Sequence, residues 1–178
     1  LFDIDGTYRW VDGRVTLMPL VEGPRRPRGT AALVDRQGRV WVGFSRGGVV
    51  VHDHGRTTAY SAADGLSEDT VTAIDEDEAG RIWIGTIHGL SRFDGDRFTT
   101  LTQGHGLPGT RLTGVLGDGD GQLWMGTDFG FVRISPDEFD TAARHGTRVP
   151  YRPVETADGL DGIPTNRGYP NAARLPDG

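Results

Sequence analysis

GRIWIGTIHGLSRFDG, residues 80–95, has two counterparts in the same chain: GRVWVGFSRGGVVVHD from Gly38 and GQLWMGTDFGFVRISP from Gly121. The tryptophans of the three copies, Trp41, Trp83 and Trp124, stand 42 and then 41 residues apart. The neighbouring text keeps the same step. An acidic residue lies six before each tryptophan (Asp35, Asp77, Asp118) and a glycine three before it (Gly38, Gly80, Gly121). Gly65-Leu66 and Gly106-Leu107 precede the second and third tryptophans, each leucine 17 residues ahead. So many features in step mark a repeat protein, and the period is the first thing to explain.

One unit can be built outward from the quoted phrase. Thr70 to Ile74 is a β-branched apolar run suited to a strand buried on both faces. DEDEAG, residues 75–80, reads as a turn. A second strand, Arg81 to Thr86, points Ile82 and Ile84 one way and Trp83 the other. Gly85 shares the face of Trp83, and a glycine inside a strand marks the close approach of another backbone. LSRFD, residues 90–94, forms a third strand, and Asp94-Gly95 signals a two-residue hairpin with φ > 0 at both positions. Arg97 to Leu101 forms the fourth. Four short antiparallel strands per unit, closed by a Gly-Leu corner, make one blade of a β-propeller.

The repetition has a physical reason. A four-stranded sheet that is apolar on both faces buries neither alone, and packing copies face to face buries both. The expected fold is therefore all-β: an arc of four-stranded antiparallel blades, with Trp41, Trp83 and Trp124 as wedges between neighbours and Gly43, Gly85 and Gly126 beside them. Leucine-rich repeats have a shorter period, and helical repeats are incompatible with 28 glycines in 178 residues.

The approximate repeats are 28–66, 67–107 and 108–160, with partial blades at 1–27 and 161–178, all in one propeller segment. Gly6 to Trp10 matches Gly89 to Phe93 and is followed by a Val11-Asp12-Gly13-Arg14 hairpin. Residues 160–178 carry a corner, a first strand at YPNAARL and the turn Asp177-Gly178. On this register the chain begins inside a second strand and stops just before one, and its first residue is leucine. The expectation is an arc of a larger propeller; the alternative is a four-bladed ring closed by the two partial blades.

Composition removes several function classes. The net charge of −6 argues against nucleic acid, whose phosphates need a basic footprint. All 19 basic residues are arginine and there is no cysteine, so neither a disulfide framework nor a thiolate metal site is available. No apolar run approaches the roughly 20 residues that cross a bilayer. Asp118-Gly119-Asp120-Gly121 opens like a calcium loop, but its twelfth position is Phe129 instead of glutamate. His52 and His54 lie two apart in a hairpin with no third metal ligand in view. No nucleophile elbow or P-loop spacing occurs. No catalytic residue, metal or cofactor is expected.

Binding belongs on the loops of a rigid scaffold. Two sets of connections share one end of a propeller. Turns between second and third strands hold Ser45-Arg46, Ile87-His88 and Asp128-Phe129; links between blades hold Asp64, Ser67 to Asp69, His105, Pro108 to Arg111, and Asn166-Arg167. Asp64, Asp69, His88, His105, Arg111, Asp128, Phe129 and Asn166 are the candidate contacts for a hydroxyl-rich or carboxylate ligand. Phe129 stands where the preceding blade has His88; it either meets ligand or packs beneath its neighbour.

The phrase from Gly80 to Gly95, the corners Asp64-Gly65-Leu66 and Gly106-Leu107, and Gly121 to Arg133 resemble the two-component regulator propeller repeat. The corner departs from that family's usual G-L-P-S-N, with Asp69 and Thr110 at the asparagine place and Asn166 holding it in the last copy. The resemblance implies a bacterial sensor region outside the cytoplasmic membrane. It further implies a membrane-anchored, dimeric parent whose remaining blades and output module, often a histidine kinase, lie elsewhere. It also implies a small-molecule or oligosaccharide ligand. A protein-interaction scaffold and a propeller enzyme, such as a lyase or glycoside-active protein, are the competing classes.

Overall fold

A computed structural model describes residues 28–109 and 111–154 in full, together with the backbone of three short strands nearer the N-terminus. Those strands, β1 (Phe2–Asp3), β2 (Gly6–Val11) and β3 (Arg14–Met18), form one antiparallel sheet, with Val11 opposite Arg14 across the β2–β3 hairpin. Three four-stranded sheets follow. Blade I holds β4 (Gly29–Val34), β5 (Val40–Phe44), β6 (Val49–Asp53) and β7 (Arg56–Tyr60). Blade II holds β8 (Val71–Glu76), β9 (Ile82–Thr86), β10 (Gly89–Phe93) and β11 (Phe98–Thr102). Blade III holds β12 (Leu112–Gly117), β13 (Leu123–Thr127), β14 (Gly130–Ile134) and β15 (Arg152–Pro153). Every strand pairs antiparallel with its sequence neighbour, and β4, β8 and β12 lie side by side. The fold is the all-β propeller arc expected from the repeat.

Trp41 and Trp83 each cover the join to the following blade. Trp41 and Trp83 are fully buried. The Trp41 ring meets Phe93 of blade II edge-on at 5.0 Å, and Tyr60 of blade I meets Phe93 and Phe98 of blade II. Such edge-to-face pairs add about 1 kcal/mol each beyond the area they bury. Beside Trp41, a Cβ on Gly43 would lie 2.6 Å from Cβ of Val71 in β8, and one on Gly85 would lie 2.9 Å from Cγ2 of Val115 in β12. The glycines thus admit a side chain of the next blade, not the other backbone expected from the sequence. At Gly126 the nearest atom is Oγ1 of Thr113 in its own blade, at 2.6 Å.

An aspartate clasps the tryptophan of each of blades I, II and III. The indole Nε1–H of Trp41, Trp83 and Trp124 donates to Oδ2 of Asp35, Asp77 and Asp118 at 2.8, 2.8 and 2.6 Å. The other carboxylate oxygen accepts the backbone N–H of Arg39, Arg81 or Gln122 four residues on. In the first two copies the arginine Nε–H also reaches Oδ2, at 2.5 and 2.6 Å. Burial on its own raises the pKa of Asp35 and Asp77. The indole, backbone and guanidinium donors outweigh it and hold both carboxyls below the ordinary 3.8.

A β-bulge recurs in the first strand of every blade, at Thr30, Thr72 and Thr113. The Thr30 hydroxyl donates to the carbonyl of Val71 at 2.6 Å, so the bulge of blade I is tied to that of blade II.

Two local expectations fail. The β10–β11 connection is a four-residue loop between the paired Phe93 and Phe98, closed by the Asp94 N–H to the Arg97 carbonyl at 2.9 Å. Gly95 takes φ 105°, whereas Asp94 does not enter the positive-φ region. The two-residue turn with both φ positive occurs instead at His54-Gly55 in blade I, φ 43° and 91°, between the paired Asp53 and Arg56. Blade III is also not four plain strands. A helix, α1 (Pro136–His145), intervenes between β14 and the two-residue β15. Ser135 and Glu138 form its capping box, Pro136 opens it and Gly146 ends it at φ 64°. Its buried Phe139 meets Trp83 at 4.9 Å with the rings perpendicular, the place that Phe93 fills over Trp41.

Candidate functional site

One end of the arc gathers the β5–β6, β9–β10 and β13–β14 turns with the links between blades. The link from blade I to blade II is wedged between two turns. The Thr70 hydroxyl donates to the Ser45 carbonyl at 2.7 Å, and the Ile87 N–H donates to the Thr70 carbonyl at 3.2 Å. Gly47 has no room for a side chain, because a Cβ there would lie 2.5 Å from the Glu68 carbonyl oxygen. This wedge brings together two of the sequence candidates. Asp69 Oδ2 sits 2.8 Å from His88 Nδ1, and it also accepts the Ser67 hydroxyl at 3.1 Å. His88 is 61% exposed and Asp69 36%. A carboxylate at Nδ1 orients the imidazole and leaves Nε2 free toward solvent, able to donate or accept a hydrogen bond.

The next link behaves similarly. A Cβ on Gly109 would lie 2.5 Å from Oδ1 of Asp128, so the blade II–III link abuts the β13–β14 turn. Phe129, in that turn, is 78% exposed and does not pack beneath its neighbour. Its N–H is held by the Thr127 hydroxyl at 3.1 Å, which fixes the backbone while the ring stays in water. Arg111 and Asp128 are exposed.

Two candidates have local structural tasks. Asp64 and His105 occupy equivalent places, the last residue of the 3-10 turns Ala62–Asp64 and Gln103–His105. Asp64 Oδ2 accepts the Ser61 N–H at 2.8 Å, and His105 Nδ1 accepts the Thr102 N–H at 3.1 Å. Both side chains fold back to cap the corner and do not join the Asp69–His88 pair. Asn166 lies outside the described residues. Trp41, Trp83, Gly43 and Gly85 lie between blades, whereas Trp124 is only partly buried.

Nearer β7, His54 Nδ1 pairs with Asp53 at 2.6 Å and His52 Nδ1 with the Thr57 hydroxyl at 3.1 Å, so each has a separate partner. Among the described residues no three His, Asp or Glu side chains converge to hold a metal ion. No helix among them is long and apolar enough to cross a membrane.

Residues 65–88 and 106–129 match the family model of the two component regulator propeller. No curated protein matches the chain closely enough to count as a relative. Several solved structures share the fold. The extracellular domain assigned to a hybrid two component system of B. thetaiotaomicron is 18% identical, with a TM-score of 0.57, over 76% of this chain and 18% of its own. PorZ, a surface component of the type-IX secretion system of Porphyromonas gingivalis, is 15% identical, with a TM-score of 0.62, over 82% of this chain and 24% of its own. A virginiamycin B lyase from Staphylococcus aureus, with Quinupristin, is 17% identical, with a TM-score of 0.58, over 71% and 44%. The chain thus spans under a fifth of the first of these and under half of each.

Proposed function

We propose, from the match of residues 65–88 and 106–129 to the two component regulator propeller family, that the chain is a ligand-sensing segment of the extracytoplasmic part of a bacterial two-component-type signalling protein. In this reading it catalyses nothing itself. Further blades, a membrane anchor, dimer contacts and an output module such as a histidine kinase belong to the parent protein. The repeats are units 28–66, 67–107 and 108–160, with partial units on either side.

The observation that carries the proposal is the Asp69–His88 pair, at 2.8 Å, on the same end of the arc as the exposed Phe129. Oriented imidazole, carboxylate and a flat apolar ring together suit a small hydroxyl-rich ligand such as an oligosaccharide. The hydroxyls meet the polar groups and an apolar sugar face meets the ring. The end of the blades varies in sequence while the Trp–Asp clasp beneath it repeats, which is the division of labour expected of a recognition surface on a rigid scaffold.

The test is calorimetric titration with neutral and acidic oligosaccharides, followed by chromatography of the recovered sugar. One of them is expected to bind and to be recovered unchanged. His88→Ala and Phe129→Ala are each expected to weaken binding about tenfold, roughly 1.4 kcal/mol, and to leave the melting temperature unmoved because both side chains are exposed. Binding indifferent to both substitutions, or no binding by any sugar, would refute the site. A chemically altered sugar would favour the lyase-like reading, in which the free Nε2 of His88 moves a proton.

A further inference from the structure

Arg92 and Arg133 occupy the same place in blades II and III, opposite Trp83 and Trp124 across the strand pair. In blade II the place is filled completely. Arg92 holds Asp94 of its own blade at 2.6 Å and Asp140 of α1, and its guanidinium lies 6.0 Å from the Phe139 ring. The consecutive Phe139 and Asp140 thus cover Trp83 and neutralise Arg92 together. In blade III nothing described does so. Arg133 lies over Trp124, 5.0 Å from the ring centroid, with its buried Nε lacking a hydrogen-bond partner among the described residues. The position matching Asp94 is Ser135, which caps α1. The residue opposite Arg133 is Arg152, a second cation, where Arg92 faces Thr99. Trp124 is partly exposed, whereas Trp41 and Trp83 are fully buried. A buried guanidinium donor without an acceptor is costly, and two facing arginines raise the demand for an anion.

We propose that the Trp124–Arg133 face is the docking site for the covering element of a further propeller repeat, one that presents an aromatic side chain followed by a carboxylate as α1 does with Phe139-Asp140. The ring seats on the Trp124 indole and the carboxylate bridges Arg133 and Arg152. The site continues the interface between blades II and III by one repeat, and it rests on the reading that the chain is part of a larger propeller. It shares no residue with the Asp69–His88 site.

The test uses the isotope-labelled chain and a synthetic peptide of residues 135–146, SPDEFDTAARHG, which carries α1 with both caps. The peptide is expected to shift the Trp124 indole N–H and the Arg133 Nε–H signals while leaving those of Trp83 and His88 in place. A peptide with Asp140→Asn should bind at least about tenfold more weakly, and the difference should vanish in the Arg133→Gln chain. Unmoved Trp124 and Arg133 signals, or equal binding of the two peptides, would overturn the proposal. Slow exchange of both signals before any peptide is added would also overturn it, because the face would then be closed by the chain's own residues. Failure of oligosaccharide binding at His88 leaves all of these outcomes readable.

Discussion

Asp77→Ala is expected to destabilise the protein by about 3 kcal/mol, the scale for stranding buried charged and polar groups that had shared one partner. Asp77 is nearly fully buried and accepts the Trp83 indole N–H, the Arg81 backbone N–H and the Arg81 guanidinium. Removing it leaves a buried indole donor and a half-buried cation unpartnered at the same time. Asp77→Asn keeps the volume and one acceptor oxygen, so it should cost roughly half as much. The sign of the pH dependence follows from the lowered carboxyl. Because its folded pKa lies below the ordinary 3.8, its contribution is complete above that value and is lost as the pH falls through the folded value. Urea titrations of the three proteins at neutral pH and at about pH 3 check both points. The wild type should lose more stability on acidification than Asp77→Asn does; equal losses would mean that the clasp is not what the carboxylate contributes.

Gly43→Ala is expected to cost on the order of 3 kcal/mol, although alanine suits a strand better than glycine by roughly 0.5–1 kcal/mol. The steric term wins because the new Cβ falls 2.6 Å from the Val71 Cβ and closer still to one of its methyl groups. Val71 is fully buried in the first strand of the next blade, so it has nowhere to rotate. Adding Val71→Gly to Gly43→Ala should recover more than the single costs imply, with a coupling of about 1 kcal/mol or more. Additive costs in a double-mutant cycle would show that the two blades do not interlock at this point. The same substitution at Gly38, where a Cβ would meet nothing but where φ is 79°, tests backbone strain alone.

The blade was legible because its signals are local and repeated. Strand, turn, glycine and tryptophan recur at one period, and each copy corroborates the others. The Asp–Trp spacing of six was visible too, but only the folded hairpin shows that six residues return the carboxylate to the indole. The helix was hidden by the same strength. SPDE followed by Phe139 and Ala142 is a helix-start signal, yet it falls where the repeat calls for a hairpin and a fourth strand. At Asp94-Gly95 the dipeptide suggested a two-residue turn, but Asp96 and Arg97 join the loop because Phe98, not Asp96, is the residue that must face the core. Of the candidate site, the end of the arc was readable from topology alone. Which loop residues meet was not: Asp69 and His88 are brought together by the Thr70 and Gly47 contacts, whereas Asp64 and His105, equally polar in sequence, turn back to cap their corners.

Blades II and III each cover the tryptophan of the blade before them, and hydrogen exchange of the indole Nε1–H groups is the direct test. All three donate to an aspartate, so hydrogen bonding alone would protect them alike. Covering by the next unit predicts slow exchange for Trp41 and Trp83, beneath Phe93 and Phe139, and faster exchange for Trp124, whose ring is partly open. Fast exchange of Trp41 and Trp83 at the rate of Trp124 would contradict the claim, because the blades would then stand independently of one another.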